Sequence, residues 1–197
     1  MFDFVEKIVY INLSHREDRK QQILSEFSRV GVPKHLIERF DAIKHERGAI
    51  GCTMSHIAVL KMAIQQGWQN YIVLEDDIQW NNFENGYSTL SQCYDKYDVV
   101  ILGGSHPRFQ DNKLVYCQTT TGYVVNKHYY TKLLANFEEG LSGLLLSGNI
   151  PQFAIDIYWN RLIQSDNWGI IRPSLVVQRP GYSDIEKRHV DYLSVFN

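Results

Sequence analysis

Short β-branched runs alternate along the chain with stretches that carry the 3.6-residue period of an amphipathic helix. This alternation predicts an α/β fold with a mostly parallel sheet flanked by helices. The strands are predicted at 8–13, 37–42, 71–74, 98–102, 115–117, 123–125, 168–171 and 175–178. The helices are predicted at 14–30, 52–66, 83–95, 127–138 and 153–164. Without an internal repeat or linker, the pattern predicts one domain over residues 1–197.

Local signals mark the ends of the first two helices. Ser14 and Glu17 have the S-x-x-E spacing of a capping box, which predicts that the first helix starts there. Gly31 and Pro33 end that helix, and Gly67 ends the second one.

Composition narrows the class of protein. Hydrophobic residues make up 44% and charged residues 21% of the 197 residues, as in an ordinary soluble globular protein. The 20 Lys and Arg against 22 Asp and Glu leave a net charge of −2. No bulk field therefore attracts nucleic acid or an anionic membrane, and local charge must carry any recognition of phosphate.

The cysteines and the chain's start bear on its compartment. The three cysteines show no C-x-x-C spacing, which argues against a disulfide framework or a zinc site and favours a reducing compartment. Cys52 is interpreted as a small core residue. No signal peptide is visible after Met1, and the longest apolar runs fall far below the ~20 residues needed to span a bilayer. We expect a soluble, cytoplasmic protein without an integral membrane segment.

An acidic triplet, Glu75-Asp76-Asp77, directly follows a predicted buried strand. Adjacent carboxylates are costly unless a cation joins them or one is protonated, and hard oxygen ligands suit Mg²⁺ or Mn²⁺. On an extended strand Glu75 and Asp77 share a face, and Asp76 is expected to point away. The alternative is a solvated acidic turn that merely ends the strand.

Two arginines follow the first strand. Arg16 and Arg19 lie in the first helical turn, where the helix dipole disfavours cations. A bound diphosphate would offset that cost and suits the start of a helix. The alternative is surface ion pairing with the neighbouring acids Glu17 and Asp18.

Glycines precede the second helix and follow a later strand. Gly48 and Gly51 allow close backbone approach, so that free N–H groups at the helix start can face phosphate. His56, farther along that helix, either touches a ligand or is a satisfied packing residue. Gly103-Gly104-Ser105 is predicted to end its strand beside the ligand, with a plain turn as the alternative.

Read together, these segments resemble glycosyltransferase family 25, which includes bacterial lipopolysaccharide glycosyltransferases and procollagen galactosyltransferases. The resemblance implies a GT-A fold, a UDP-hexose donor, Mn²⁺ (or Mg²⁺) and inversion at the anomeric carbon. The implied acceptor is a lipopolysaccharide sugar or a collagen-type hydroxylysine. The matching stretches are Ile11-Asn12-Leu13 with Arg16 and Asp18-Arg19, Gly48–His56, Leu74–Asp77, Thr120–Val125, Asp156, and Gln178 with Ser183-Asp184-Ile185.

The resemblance also assigns roles to residues. The triplet is similar to the D-x-D metal motif, with Glu at its first position; Asp77 is the first choice of metal ligand and Glu75 the next. Asp184 and His189 are the candidates for a third ligand, unless their segment is simply a hydrated tail. The donor is expected to contact Asn12, Leu13, Arg16, Arg19, Ser55, Glu75, Asp76 and Gly122.

Asp156 is the expected catalytic base. It stands in an otherwise apolar stretch, where a carboxylate is expensive to bury without a partner. It should therefore face a cleft and accept the acceptor's proton. The alternative is that it caps a helix start.

Two other functions compete. Nucleotidyl transfer usually builds on a Gly-rich basic loop after the first strand, and Asn12-Leu13-Ser14-His15 is not such a loop. A catalytically inactive nucleotide-sugar-binding or partner-binding protein would show a damaged metal motif or a missing base, and neither is visible.

Overall fold

Ten strands and seven helices build the part of the chain that the computed structural model describes, residues 2–196. The strands are β1 Ile8–Asn12, β2 Ile37–Asp41, β3 Asn70–Glu75, β4 Ile78–Trp80, β5 Val99–Gln110, β6 Lys113–Asn126, β7 Trp168–Ile170, β8 Val176–Gln178, β9 Gly181–Ser183 and β10 Arg188–Val190. The helices are α1 Glu17–Arg29, α2 Gly48–Gln66, α3 Phe83–Cys93, α4 Tyr130–Ser147, α5 Ile150–Phe153, α6 Ile155–Tyr158 and α7 Asn160–Ser165. Short 3₁₀ turns lie at Lys34–Leu36, Tyr94–Lys96, Lys127–Tyr129 and Leu193–Val195.

A six-stranded sheet in the order β2-β1-β3-β6-β5-β7 forms the centre of the fold. Its strands are parallel except β6, which runs antiparallel to both neighbours. Because side chains alternate along a strand, Val9 and Val73 face one hydrophobic core, and Ile8 and Ile72 face another. Helices therefore cover both faces, as predicted, and the carboxyl ends of β1 and β3 are left open at one edge.

Most predicted elements are present, and several of the differences concern where an element begins or ends. The prediction of a capping box is wrong, because α1 begins at Glu17 with Arg16 as its N-cap, and no side-chain cap hydrogen bond forms. The second helix starts at Gly48, four residues before its predicted start at Cys52. The predicted helix at 153–164 is divided among three short helices, and the extended ψ of 145° at Ala154 separates α5 from α6.

The predicted stop at Gly103-Gly104 is also wrong, because β5 continues through it to Gln110 and pairs with one long β6. Gly103 lies where β8 packs against β5. A Cβ on Gly103 would lie 2.1 Å from the backbone oxygen of Val176, so only glycine lets β8 cross so closely.

The β5–β6 pairing contains a bulge that shapes the site. Gly103 pairs with Gly122 and Ser105 with Gln118, so β6 has extra residues between these pairs. Thr119 lies in the bulge at φ +71°, a strained conformation for a β-branched residue. The bulge turns residues 119–120 out of the sheet's regular pattern and re-aims their side chains.

Two short pairings lie beyond the main sheet. Strands β4 and β8 pair antiparallel just after the acidic triplet, and β9 and β10 form a hairpin. Neither β4 nor this hairpin was predicted. Among residues 2–196, none of the helices is both long enough and apolar enough to cross a membrane.

Candidate active site

The ends of β1 and β3 bring Asn12 beside the acidic triplet. The two strands are parallel neighbours, with Ile11 in register with Glu75. Asn12 is buried, and its Nδ2 donates to Asp76 Oδ2 at 2.7 Å. Its Oδ1 accepts from Arg39 Nε at 3.0 Å. Asn12 therefore fixes Asp76 rather than presenting a free amide to a ligand.

Arg19 links the triplet to helix α1. Its Nη1 lies 2.9 Å from Asp76 Oδ1 and 3.1 Å from Asp77 Oδ2. The expectation that Asp76 points away is wrong, because the chain turns after Glu75 and all three carboxylates line one cavity. The pairing of Arg19 with Asp76 and Asp77, instead of the adjacent Glu17 and Asp18, makes it part of the site.

Asp77 is the least satisfied of the three acids. It is 6% exposed, and its Oδ2 accepts from Gln178 Nε2 at 3.2 Å. Its other oxygen, Oδ1, is buried without a hydrogen-bond partner. Burial, followed by the charge of Glu75, raises the pKa of Asp77 to about 7. The Oδ1 atom of Asp77 is thus buried in the site without a hydrogen bond from any residue of the protein.

Glu75 faces a different set of groups. Thr120 Oγ1 donates to Glu75 Oε1 at 2.6 Å, and His56 Nε2 lies 3.9 Å from the same oxygen. Burial alone would raise the pKa of Glu75, but His56 and the Thr120 hydroxyl outweigh it and leave the pKa below its ordinary value. Glu75 carries its charge near neutral pH, whereas Asp77 is poised between its two protonation states.

The first cavity, of about 400 Å³, opens over the triplet. The start of α2 faces it through Gly48 and Gly51. It mixes acids with cationic side chains, a combination that suits an anion held next to a metal. Its charged and histidine side chains are His15, Arg19, Lys44, His45, Glu46, His56, Glu75, Asp76, Asp77, Asp184 and Lys187.

The second cavity, of about 320 Å³, lies on the other side of Glu75. Asp156 lines it from the first turn of α6, and Asp156 Oδ2 accepts from the bulge residue Thr119, whose N lies 3.1 Å away. Burial raises the pKa of Asp156. The N-cap of α6 is Ala154, and Asp156 lies two residues farther on, so Asp156 is not the N-cap of this helix. The two cavities meet at a shared wall formed by Cys52, Glu75, Gln178, Ser183 and Ile185.

The β9–β10 hairpin lies against both cavities. Asp184 pairs with Arg16, and Arg19 Nη2 donates to the Tyr182 oxygen at 2.6 Å. Arg16 also pairs with Asp18, at 2.8 Å. The hairpin therefore closes over the start of α1 through arginine contacts. His189 stacks edge-on with Tyr182 at 5.7 Å and does not line the first cavity, whereas Asp184 does.

The remaining predicted donor contacts divide between cavity and scaffold. Leu13 and Ser55 line the first cavity. The Ser55 hydroxyl donates to Gly51 O at 2.7 Å and accepts from Ile43 N at 2.8 Å, so it is already satisfied. Gly122 lies within the sheet, where a Cβ would lie 2.7 Å from Leu74 Cδ2, and it lines neither cavity.

Several lining residues escaped the sequence analysis. Lys44 and Lys187 face the first cavity from a loop and from the hairpin. Both are exposed lysines without a pattern around them, so nothing in the sequence separates them from surface charge. Gln178 could be found from the sequence because it belongs to the family resemblance. In the structure, its side-chain amide donates a hydrogen bond to Asp77.

The sheet order, the open strand ends and the acidic turn define the GT-A class of glycosyltransferase folds. Consistent with this, a glycosyltransferase involved in the glycosylation of the major capsid of PBCV-1 superimposes with a TM-score of 0.53 at 11% identity, over 85% of this chain and 81% of that one. The chain belongs to glycosyltransferase family 25, whose model, described as an LPS biosynthesis protein family, matches residues 46–147.

Curated relatives agree with that family. A protein of Acanthamoeba polyphaga mimivirus that carries the name glycosyltransferase R655 is 27% identical over 177 residues, which cover 76% of this chain and 52% of that protein. A glycosyltransferase 25 family member of Anopheles gambiae is 26% identical over 70% of this chain and 30% of its own length. The chain thus spans about half or less of the length of these relatives.

The state of Asp77 predicts an unusual stability effect. Asp77 has a pKa of about 7 in the folded protein against 3.8 for an ordinary aspartate, so between these pH values the native protein holds a proton that the unfolded chain releases. Asp77 therefore costs stability progressively as the pH rises from about 4 to 7. We expect Asp77→Asn to raise the melting temperature of the metal-free protein at about pH 8 by roughly 2 °C or more, and by much less at about pH 4.5.

Differential scanning calorimetry with a chelator present measures this effect. Asp95→Ala, at an exposed acid outside both cavities, serves as the control and should not change the melting temperature. An Asn variant that is less stable than the wild type at both pH values would contradict the view that the buried, ionised Asp77 destabilises the fold.

Proposed function

We propose that the protein transfers a hexose, galactose or glucose, from a UDP-sugar to an acceptor hydroxyl, with a divalent cation at the acidic triplet and with inversion at the anomeric carbon. The observation that carries this proposal is the buried, unpartnered Oδ1 of Asp77, inside a cavity that also presents cationic side chains. A glycosyltransferase of this class needs both features in one place: a ligand for the metal and positive charge for the diphosphate.

The residues present fit Mn²⁺ or Mg²⁺. When ionised, the triplet carries three negative charges against the one positive charge of Arg19, which leaves the balance that a divalent ion offsets. Asp77 and Glu75 are the proposed ligands, with Asp184 from the hairpin as the third in preference to His189. When bound, the ion supplies Lewis-acid stabilisation of the leaving diphosphate.

The diphosphate belongs over the first cavity. Lys44 and Lys187 line its opening, and Arg19 lies within it. The free backbone N–H groups at the start of α2 add the positive end of a 19-residue helix. These groups would hold the phosphates and leave the uridine to the apolar part of the cavity, where Leu13 and Ile43 lie.

The acceptor belongs in the second cavity, which meets the first at Glu75. Asp156 is the proposed base there: its charge is held by the Thr119 N–H, and its raised pKa strengthens it as a proton acceptor. With the donor sugar near Glu75, where the two cavities meet, an acceptor in the second cavity would approach the anomeric carbon from the side opposite the diphosphate, as inversion by a single displacement requires. A saccharide hydroxyl or a hydroxylysyl side chain is the proposed acceptor.

Release of UDP from a panel of UDP-sugars tests the proposal. We expect Mn²⁺ to switch on slow donor hydrolysis, and Asp77→Ala to lower that rate by about 10²-fold or more because the ion loses its main ligand. Asp95→Ala, at an acid remote from the cavities, is the matched control and should keep the rate. Hydrolysis that is independent of Mn²⁺, or equal in Asp77→Ala, would contradict the proposal.

The same assay separates the enzyme from a binding protein without turnover. If a UDP-sugar binds in the presence of Mn²⁺ but no UDP forms with saccharide or hydroxylysyl-peptide acceptors, the inactive alternative is favoured. A family member with an intact triplet and an intact Asp156 is expected to turn over.

Asp156→Asn tests the base. An asparagine keeps an oxygen that can accept the Thr119 N–H, so the bulge stays in place while the basicity is lost. We expect kcat for transfer to fall by about 10²–10⁴-fold, with little change in donor binding. In the wild type, kcat should fall as the pH drops through the pKa of Asp156. Steady-state transfer and donor titrations measure both; a kcat near wild type would exclude Asp156.

A further inference from the structure

A second cluster of metal-binding side chains lies in the wall between the two cavities. Cys52 and His56 are one helical turn apart on α2, at i and i+4, so their side chains share a face. That face meets Glu75 at the end of β3. One ligand atom from each of the three lies within 4.8 Å of the other two. The wall thus brings together a thiol, an imidazole and a carboxylate.

The surroundings already orient the histidine. His56 is 1% exposed, and its Nδ1 lies 2.8 Å from the hydroxyl of the fully buried Tyr123. Metal binding requires the tautomer with the proton on Nδ1, which the Tyr123 oxygen can accept; Nε2, 3.9 Å from Glu75 Oε1, then exchanges its interaction with Glu75 for a bond to the ion. An outer hydrogen-bond partner that holds the ring in place is typical of histidines that bind metal.

We propose that Cys52, His56 and Glu75 form a site for a borderline-soft divalent cation of the Zn²⁺ class, adjacent to the oxygen-ligand site at Asp77 and sharing Glu75 with it. Thiolate and imidazole ligands select Zn²⁺ over Mn²⁺ or Mg²⁺, which prefer oxygen. Thiolate, neutral imidazole and carboxylate together carry two negative charges, which a divalent ion balances. A fourth position stays open to the cavities, as in three-ligand zinc sites.

Binding requires little rearrangement. Around a tetrahedral ion the ligand atoms would lie roughly 3.3–3.8 Å apart. Since they already lie within 4.8 Å of one another, side-chain rotations that move each ligand atom by about 1 Å suffice. The Cys52 thiol releases its proton to solvent as the sulfur–metal bond forms. Cys52 and Glu75 line both cavities, which gives the ion a path of entry. Once bound, it would tie α2 to the end of β3 and fix the wall between the two cavities.

The sequence spacing concealed this cluster. C-x-x-C spacing is absent, and that absence argued against zinc. However, two of the three ligands are spaced for a helix, and the third comes from a strand that follows it. Only the packing of α2 against β3 joins them.

Cobalt absorption tests the site directly. In the metal-free protein, residues 1–197, without nucleotide sugar, we expect Co²⁺ to produce a thiolate-to-Co²⁺ charge-transfer band in the near ultraviolet. Zn²⁺ should remove this band by displacement. It should be absent in Cys52→Ser and in Cys52→Ala, and present in Cys93→Ser, which changes a half-buried cysteine on α3. Absence of the band in the wild type, or its persistence in both Cys52 variants, overturns the proposal.

Protection of Cys52 from alkylation tests the site in the wild-type protein, without any substitution. At Zn²⁺ concentrations ten times the dissociation constant, the rate of iodoacetamide labelling of Cys52 should fall by about tenfold, while that of Cys93 stays unchanged. Equal protection of both cysteines, or of neither, contradicts the site. Both assays omit donor and Mn²⁺, so their failure leaves the proposed transfer reaction standing.

Discussion

Burial of three adjacent carboxylates with a single arginine is the constraint on which the site depends. Glu75, Asp76 and Asp77 lie at the end of a central strand, and Arg19 bridges two of them. Asp76 is further held by Asn12, and Asp77 is left with one oxygen unpaired. Such an arrangement is expensive in the free protein and becomes favourable when a cation enters. On the proposed function, relief of this cost at Asp77 would add to the affinity for a divalent cation.

The fold converts that local constraint into two connected cavities. Parallel strands β1 and β3 present their carboxyl ends at one edge, which places the triplet under the start of α2 and beside α1. Antiparallel β6 then runs past the same edge, and its bulge gives the Thr119 N–H to Asp156. Glu75 lies between the two cavities and lines both of them. The β9–β10 hairpin closes over them through Arg16 and Arg19.

Sequence patterns revealed much of this architecture, and their failures have physical causes. Buried runs such as Tyr71–Leu74 predicted the central strands, because both faces of the sheet are covered by helices. The capping box failed because the first helix begins at Glu17, with the Arg16 side chain paired to Asp184 across the fold instead of a Ser14 cap. Gly103 resembled a strand end because its real role, to let β8 cross, is a contact with a segment far along the chain.

Site residues followed the same division. The triplet and Asp156 could be predicted because acidic side chains stand out in apolar surroundings. The pairing of Asp76 with Arg19 could not, since it depends on a turn after Glu75 and on the angle at which α1 packs. The positions of Lys44 and Lys187 at the first cavity, and of Cys52 and His56 close to Glu75, likewise depend on tertiary contacts. The family model matches residues 46–147, a segment that includes the triplet but neither Asp156 nor Asp184.

The central claim is that a divalent cation binds at Asp77 together with the donor's diphosphate. Anomalous diffraction from crystals soaked with UDP and Mn²⁺ tests it most directly. The account predicts a manganese peak within bonding distance of Asp77, with the diphosphate between that ion and the start of α2. A nucleotide bound elsewhere, or a triplet that still holds only Arg19 at saturating Mn²⁺ and UDP, would contradict it.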